Sequence, residues 1–269
     1  MKLVDNNFSH HSHSRLSCDQ QYVDGFSWNR DLSDVVPDDV IVFTESAADM
    51  AIRYPGNRKL LWLLEPRVVV PQAYEWAAAN YRLFEKVLTY DQSLLEVDPR
   101  FTFVPFGGCW IYEADQRIHE KTKLISTISS TKNWTVGHRM RCDAVDRVGH
   151  LMDVYGRGRR EVGYKLDGLR DYMFHLVVEN GRMDHFFSEK LIDCLVTGTV
   201  PVYWGCPSIG DFFDVGGMVR FDSVDELPNI VKSLTPELYR SILHHVAENF
   251  ERAKGFLTSE IYMIKNGII

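Results

Sequence analysis

Carboxylate, amide and cationic side chains occur in the second half of the chain where apolar runs end and begin. Glu179 and Asn180 follow one apolar run, and Glu189 and Lys190 open the amphipathic stretch that comes next. A lysine can neutralise a diphosphate, and a carboxylate can accept hydrogen bonds from ribose hydroxyls or a guanine edge. The pattern therefore indicates binding of a nucleotide diphosphate.

Two arginines and a distant glutamate would complete such a site. Arg139 and Arg141 lie early in a predicted helix that follows another apolar run, and an arginine offers a bidentate fork to a diphosphate. Glu65 ends an apolar run in the first half and precedes Pro66, which disfavours helix at the glutamate. A carboxylate there could take a proton from an attacking hydroxyl. The set describes group transfer from a nucleotide diphosphate.

Each of these signals also has a structural explanation. The segment 188–190 fits a helix N-cap followed by a solvated pair, and Asn180-Gly181 fits a turn. The two arginines could be surface charges on an amphipathic helix, and the glutamate before the proline could be an exposed loop acid. The signals become moderately specific because they occur together, in order, across two halves of the chain.

Glu179, Asn180, Glu189 and Lys190 must be positioned by a strand, a helix and a second strand. Residues 174–205 contain an apolar run, a polar loop, a helix opened at Ser188, a stop at Gly198 and a second apolar run through Trp204. In a βαβ unit the first strand and the helix meet at a rim of the sheet that binds anions. Lys190, in the first helical turn, opposes the helix dipole and so suggests an anionic partner.

Alternating strands and helices in both halves predict an α/β fold with two Rossmann-like domains facing each other across a crevice. Residues 108–121 are polar and aperiodic, which is typical of a linker. We expect domains at 1–115 and 116–255, followed by a C-terminal helix at 256–269 that could pack back on the first domain. Strands are predicted at 2–5, 40–43, 59–65, 84–90, 101–105, 124–129, 152–156, 174–178, 200–204 and 218–221. Helices are predicted at 45–53, 71–81, 136–149, 164–171, 188–197, 223–233, 236–254 and 258–265.

Composition limits the partners of the protein. The chain has 269 residues, 45% of them hydrophobic, and a net charge of -7, which argues against a general nucleic-acid or anionic-membrane binder. Its five cysteines include no CxxC pair, so neither a disulfide framework nor a zinc site is predicted. No apolar run reaches the roughly 18 residues that span a bilayer. These features favour a cytoplasmic protein, and they leave its oligomeric state open.

A histidine cluster near the start is a weak candidate for a metal site. His10, His11 and His13 stand among serines, with no carboxylate or cysteine at ligand spacing. A solvated or acceptor-side loop is the better interpretation. We therefore predict no bound metal, and no convincing DxD motif is present.

The longest motif resembles the signature of the α-1,3-fucosyltransferases, of the bacterial or viral type in glycosyltransferase family 10. The family's pattern is matched in residue type and spacing by three segments: Val178-Glu179-Asn180-Gly181, Glu189-Lys190-Leu191 and the run from Gly198 to Gly205. Eight residues lie between Asn180 and Glu189, as in the family. The segments at 62–66, 88–91 and 153–156 are similar to further family segments. The resemblance covers about residues 60–215 and is strongest after residue 120.

The resemblance implies a GT-B fold, a GDP-fucose donor held mainly by the second domain, a glycan acceptor on the first, and inversion at the anomeric carbon. It implies Glu65 as the general base. It also implies donor binding by Arg139, Arg141, Tyr155, Glu179, Asn180, Phe186, Glu189 and Lys190.

The sequence departs from the family pattern at three positions. Gly181 replaces a usual Ser or Thr, Val178 replaces a usual Phe, and Phe186 stands where a donor-contacting Tyr is frequent. These changes leave two alternatives open. One is transfer of a different sugar from a GDP or UDP donor, and the other is a non-catalytic nucleotide- or glycan-binding relative.

Overall fold

The computed structural model describes residues 1–5 and 11–269, and in those residues the strands form two five-stranded parallel sheets. The first sheet has the order β1-β2-β3-β4-β5, with β1 Lys2–Val4, β2 Val40–Thr44, β3 Arg58–Trp62, β4 Lys86–Thr89 and β5 Phe101–Phe103. The second sheet has the order β10-β9-β8-β6-β7, with β6 Lys123–Ile128, β7 Asp153–Tyr155, β8 Tyr172–Val178, β9 Val200–Trp204 and β10 Val219–Arg220. The predicted α/β class and the GT-B arrangement are confirmed.

Helices connect the strands in both halves. The α-helices are α1 Pro71–Asn80, α2 Gln92–Leu95, α3 Val136–Val148, α4 Glu189–Leu195, α5 Leu227–Ser233, α6 Pro236–Ser241, α7 Leu243–Ala253 and α8 Ser259–Lys265. A 3-10 helix spans Glu45–Arg53, and shorter 3-10 turns lie at Tyr81–Leu83, Glu113–Asp115, Gly149–Leu151, Lys165–Gly168, Ile209–Asp211, Val215–Gly217, Val224–Glu226 and Lys254–Phe256.

Both faces of the first sheet are buried, and alternate residues of each strand supply them. Ile41 and Phe43 of β2 pack with Tyr74 of α1 on one face. Val42 lies on the opposite face, together with Trp62 of β3. The order 1-2-3-4-5 advances in one direction, and right-handed crossovers place α1 and the 3-10 helix at Glu45–Arg53 on the first of these faces. From the connection between β1 and β2, Leu16 and Trp28 lie on the second face. The second face needs a cover from elsewhere in the chain.

The last helix supplies much of that cover. Met263 of α8 is fully buried in the same cluster as Val42 and Trp62. The Glu260 carboxylate accepts hydrogen bonds from the Trp28 indole N–H at 2.8 Å and from the Arg15 backbone N–H at 2.9 Å. The chain therefore crosses from the first half to the second and returns at its end.

The second sheet contains a reversal of strand order. The chain passes from β6 outward to β7 and then back across β6 to β8. As a result α3 and α4 pack on opposite faces, with Val148 of α3 in one cluster and Leu191 of α4 in another. Ligands of doubly wound sheets bind beyond the carboxyl ends of the strands at such a switch point. Here that point lies between β6 and β8.

Two helix predictions differ from the structure. The single helix predicted at 236–254 is broken at Ile242, whose backbone leaves helical angles at φ -108° and ψ 12°. Tyr239 and Val246 both face the core, as they would in a continuous helix, so apolar periodicity could not reveal the break. The stretch predicted as helical at 164–171 forms only the turn Lys165–Gly168. In residues 1–5 and 11–269, no helix combines the length and apolar character needed to cross a membrane.

Candidate active site

The main candidate site is a cavity of about 360 Å³ at the switch point of the second sheet. Its wall is unusually cationic. The lining side chains that carry charge are Lys132, Arg141, Arg157, Lys165, Glu189, Lys190 and Asp193. Five cations face two carboxylates in that set, and such a surplus of positive charge suits a diphosphate. Three of the predicted donor-binding residues, Arg141, Glu189 and Lys190, line this cavity.

Arg141 reaches the end of β8 because α3 begins directly against it. A Cβ at Gly137 would lie 1.7 Å from the carbonyl oxygen of Glu179, so only glycine permits this approach. The Gly137 N–H donates to the Asn180 carbonyl at 3.2 Å. The Arg141 guanidinium then donates to Asn180 Oδ1 at 2.6 Å. Arg141 and Asn180 therefore act as one unit, with guanidinium donors left over for a ligand.

Glu189 lies between two lysines at the start of α4. Its Oε1 is 3.0 Å from Lys190 Nζ and 3.6 Å from Lys165 Nζ. Burial opposes ionisation of Glu189, but the two lysines outweigh it and lower the pKa of the carboxyl to about 2. Glu189 is therefore an ionised hydrogen-bond acceptor across the physiological pH range. The anionic partner predicted for Lys190 is, at least in part, this neighbouring carboxylate.

Lys165 and Asp193 belong to the site, and the sequence analysis missed both. Lys165 Nζ is 2.9 Å from Asp193 Oδ2, while Asp193 Oδ1 accepts the Trp110 backbone N–H at 2.7 Å. Burial opposes the charge of Lys165, but Asp193 and Glu189 outweigh it and raise the pKa of Lys165 above its ordinary value. A lone lysine in a polar stretch gives no local signal of this role. Arg157 had a signal, since its loop at 156–160 is rich in arginine and glycine.

Glu179 is not among the residues that line the cavity, and its donor-binding role stays a prediction. It is fully buried, and its two oxygens accept the Ser188 backbone N–H at 2.9 Å and the Ser188 hydroxyl at 2.6 Å. Both contacts hold the N-cap of α4 against the end of β8. Burial raises the pKa of Glu179, and Lys190 opposes that shift.

Tyr155 and Arg139 also lie away from the cavity lining. The Tyr155 hydroxyl is 2.7 Å from the hydroxyl of Tyr172, and its ring is buried beneath Arg160, whose guanidinium carbon is 4.8 Å from the ring centroid. The Arg139 side chain is exposed and donates to the carbonyls of Asn133 and Trp134, each at 3.5 Å. Arg139 is two residues before Arg141 on the helix, so the two arginines point in different directions.

Phe186 is a packing residue of the interface between the two halves. It is 1% exposed, and its ring lies 5.1 Å from that of Tyr90 and 5.4 Å from that of Phe106. Phe186 therefore packs in the cluster on the second face of the first sheet, and it does not line the cavity at the switch point, which we call the donor cavity. The departure from tyrosine at this position places an apolar ring in an apolar cluster.

Phe186→Leu is expected to lower the free energy of unfolding by about 1–2 kcal/mol, because it removes ring contacts from a closely packed cluster. Urea denaturation measures that loss. GDP affinity, measured by calorimetry, should stay within about twofold of wild type, because Phe186 does not line the cavity. A twofold change in affinity corresponds to well under 1 kcal/mol. A large loss of GDP affinity with unchanged stability would instead assign Phe186 to the donor site.

Glu65 lies in the first half of the chain and interacts electrostatically with residues of the cavity wall. It follows β3 and is partly buried, and burial raises the pKa of its carboxyl. Lys190 and Lys132 lower that pKa, whereas Glu189 raises it. These three residues line the donor cavity, so Glu65 lies within electrostatic reach of its wall. Glu65 itself is not among the residues that line the cavity.

Glu45 supports the segment that carries Glu65. Its carboxylate accepts the backbone N–H groups of Leu64 and Glu65, both at 3.3 Å. Tyr74 adds a hydrogen bond from its hydroxyl to the Glu65 carbonyl at 2.9 Å. Burial raises the pKa of Glu45 to about 7. The backbone around Glu65 is therefore fixed from two sides.

The histidine loop differs from the solvated loop predicted from the sequence. His11 is buried, with its ring 5.7 Å from that of Trp110, and His13 Nδ1 lies 3.3 Å from the Phe26 carbonyl. His10 lies outside the described residues. In the described parts of the chain, no group of three histidine, cysteine, aspartate or glutamate side chains is arranged to hold a metal ion.

Comparisons with known proteins agree with the resemblance seen in the motif. Residues 118–240 match the family described as glycosyltransferase family 10 (fucosyltransferase), C-terminal region. An α-(1,3)-fucosyltransferase, FucT, of Helicobacter pylori is 33% identical over 98 residues, which cover 33% of this chain and 20% of that protein. The matched stretch thus spans about a fifth of the length of that relative.

Solved structures share the fold over a larger part of the chain. A crystal structure of an α1,3-fucosyltransferase with GDP has a TM-score of 0.57 at 17% identity, covering 90% of this chain and 80% of that one. Anabaena HepE in complex with UDP has a TM-score of 0.58 at 12% identity, covering 86% and 78%. Both likenesses concern the fold. The resemblance to glycosyltransferase family 10, the fucosyltransferase family, is therefore confirmed over residues 118–240.

Proposed function

We propose that the protein transfers fucose from GDP-fucose to a hydroxyl group of a glycan, with inversion at the anomeric carbon. The observation that carries the proposal is the cavity at the switch point of the second sheet, whose wall holds five cations and two carboxylates. The match of residues 118–240 to the fucosyltransferase family supports fucose as the sugar. The similar α1,3-fucosyltransferase was crystallised with GDP, which supports guanosine as the nucleoside of the donor.

The residues of the cavity suit departure of a nucleoside diphosphate. Charge builds up on the diphosphate as the glycosidic bond breaks, and fixed cations stabilise that charge most where water is excluded. Arg141 offers guanidinium donors held in place by Asn180, and Lys190 offers an ammonium group beside Ser188 at 3.2 Å. Ionised Glu189 can accept hydrogen bonds from sugar hydroxyls. A metal ion is not needed in this scheme, because side chains supply the positive charge.

Glu65 serves as the general base in the proposed reaction. It takes the proton of the acceptor hydroxyl while that oxygen forms a bond to the anomeric carbon on the side opposite the leaving diphosphate. The bond from the acceptor oxygen to the anomeric carbon forms as the bond to the diphosphate breaks, and the acceptor proton passes to the Glu65 carboxylate. Because the attack comes from the opposite side, the anomeric configuration inverts. A raised pKa makes the carboxylate a better proton acceptor than an exposed glutamate.

Incubation with GDP-fucose and a mixture of glycan acceptors tests the reaction. We expect release of GDP together with a fucosylated product, whose anomeric configuration by NMR is opposite to that of the donor. Retention of configuration would contradict the role of Glu65. A protein that binds GDP but transfers fucose from GDP-fucose neither to an acceptor nor to water would instead be a non-catalytic binding protein.

Donor selectivity can be measured without knowledge of the acceptor. At 100 times its dissociation constant, GDP should stabilise the fold by about 2.7 kcal/mol, which corresponds to a rise in Tm of roughly 5–10 °C for a chain of this size. UDP at the same concentration should give a smaller rise. An equal or larger rise with UDP would favour the alternative in which a UDP-sugar is the donor.

A further inference from the structure

A second cavity adjoins the crevice between the two halves of the chain. Its volume is about 450 Å³, within the usual range for small-molecule sites. We call it the Val68 cleft. It is lined by Arg67 and Val68 from the first half and by Val136, Gly181, Met183 and Trp204 from the second. No residue that lines the donor cavity lines this cleft as well, so among the described residues the two spaces have separate walls.

The position of the cleft ties it to the proposed reaction. Val68 comes three residues after Glu65 on the same loop, and Gly181 directly follows Asn180, the partner of Arg141. One wall of the cleft thus continues the segment that carries the base, and the other continues the segment that supports the donor site. A ligand in this space would lie between the segment that carries Glu65 and the segment that supports Arg141.

The walls of the cleft are mainly apolar. Val68 is 45% exposed and Val136 is 46% exposed, although both are hydrophobic, while Met183 and the largely buried Trp204 lie deeper. Exposed apolar groups that gather around a concave space mark a ligand site more often than scattered ones do. Such a space recognises a ligand group by removing its apolar surface from water.

The charges beside the cleft already have partners. Arg67 Nε donates to Asp91 at 3.0 Å, and Arg182, which also lines the cleft, donates to Asp222 at 2.5 Å. These ion pairs leave little uncompensated charge to attract an anion. Apolar contact is therefore the main form of recognition that the cleft offers.

The absence of a side chain at Gly181 leaves room in the cleft and is not required by the backbone conformation. Its φ angle lies outside the left-handed region, so other residues could adopt it. A Cβ at this position would meet Val68 Cγ1 at 3.1 Å, a close contact that would narrow the cleft. The replacement of the usual Ser or Thr by glycine thus keeps this apolar space open.

We propose that the Val68 cleft is an acceptor subsite that binds an apolar aglycone, so that the preferred acceptor is a glycoside carrying an aromatic or aliphatic group. The proposal rests on the proposed function, because it takes Glu65 as the point at which the acceptor hydroxyl is presented. It adds the chemical class of the acceptor, which the donor site does not determine.

Calorimetric titration of the GDP-saturated protein tests the proposal with matched glycosides. The probes are the methyl and p-nitrophenyl β-glycosides of galactose and of N-acetylglucosamine. For whichever sugar binds, the p-nitrophenyl glycoside should bind about tenfold tighter than the methyl glycoside, the effect of burying roughly 60 Å² of apolar surface. Equal affinities of the paired glycosides for the wild-type protein would overturn the proposal.

Variants locate the effect. Val68→Asp should abolish the advantage of the p-nitrophenyl group, and Gly181→Ala should reduce it by narrowing the cleft. Val97→Asp changes another exposed valine, 58% accessible and outside the cleft lining, and should keep the advantage. An advantage that survives Val68→Asp would place the aglycone elsewhere and overturn the proposal.

The GDP titration separates this proposal from the proposed function. Val68→Asp should leave the Kd of GDP within about twofold of wild type, a difference below roughly 0.5 kcal/mol. A large loss of GDP affinity would show that the cleft holds part of the donor instead. If wild-type protein fails to bind GDP, the proposed function fails, and titration of the glycosides without GDP still shows whether Val68 binds the aglycone.

Discussion

Glu65→Gln should lower kcat/KM for glycosyl transfer by about 10²- to 10⁴-fold, the usual contribution of a positioned general base. Glutamine keeps the size of the side chain but cannot accept a proton at neutral pH. Burial raises the pKa of Glu65 and makes its carboxylate a stronger base, so the loss of kcat/KM on substitution should be larger than for an exposed glutamate. Steady-state kinetics with GDP-fucose and an accepted glycan measures the effect.

The pH profile provides a second measure of the same role. Glu65 must be ionised to act as a base, so kcat/KM should rise with pH as the carboxyl loses its proton. Because burial raises its pKa, the midpoint of this rise should lie above the ordinary value of about 4.5. The rise of kcat/KM with pH that Glu65 causes should be absent from the Glu65→Gln variant. A pH dependence of kcat/KM that is unchanged by the substitution would assign the ionisation to another group.

GDP affinity and folding are the controls for this variant. The Kd of GDP should change little, because Glu65 is not among the residues that line the donor cavity, and the unfolding transition should remain cooperative. Near wild-type transfer by a folded Glu65→Gln variant would show that the base is a different residue.

Arg141→Ala should weaken GDP binding by about 10- to 150-fold, which corresponds to the loss of roughly 1.5–3 kcal/mol from hydrogen bonds to a charged group. The guanidinium lines the donor cavity and is held by Asn180 at 2.6 Å. Removing it also leaves Asn180 Oδ1 without this donor, so part of the loss reflects a disturbed loop. Calorimetric titration with GDP measures the change.

Arg139→Ala is the matched control for that experiment. It removes the same charge from the same helix, two residues away, but its exposed side chain contacts only loop carbonyls at 3.5 Å. GDP affinity should therefore fall by less than about threefold, a screened effect of one distant charge. Equal losses from both variants would mean that net charge, rather than contact through Arg141, governs binding.

Most of the fold could be predicted from local patterns. The unit from β8 to β9 is set by an apolar run, an N-cap serine and a glycine stop, each of which acts over a few residues. Arg141, Glu189 and Lys190 could be assigned to one site because the carboxyl ends of parallel strands meet at one edge. These predictions needed only element order and strand direction.

The remaining site residues depend on contacts between distant segments. Phe186 has a nearby motif on either side, yet its ring packs on Tyr90 and Phe106 in the other half. Lys165 becomes part of the site through Asp193, which lies on α4. Glu179 is directed away from the cavity by its two hydrogen bonds to Ser188. A residue's neighbours in sequence do not determine such orientations.

The return of α8 to the first sheet has a consequence for synthesis on the ribosome. After β5 has emerged, the first half still presents Val42 and Trp62 on a face that Met263 later covers. More than 150 residues separate β5 from α8, so this apolar face stays incomplete while the whole second half is translated. Uncovered apolar surface of this kind is prone to aggregation and attracts chaperones. Cutting the chain between the two sheets would leave the first half in that same unfinished state.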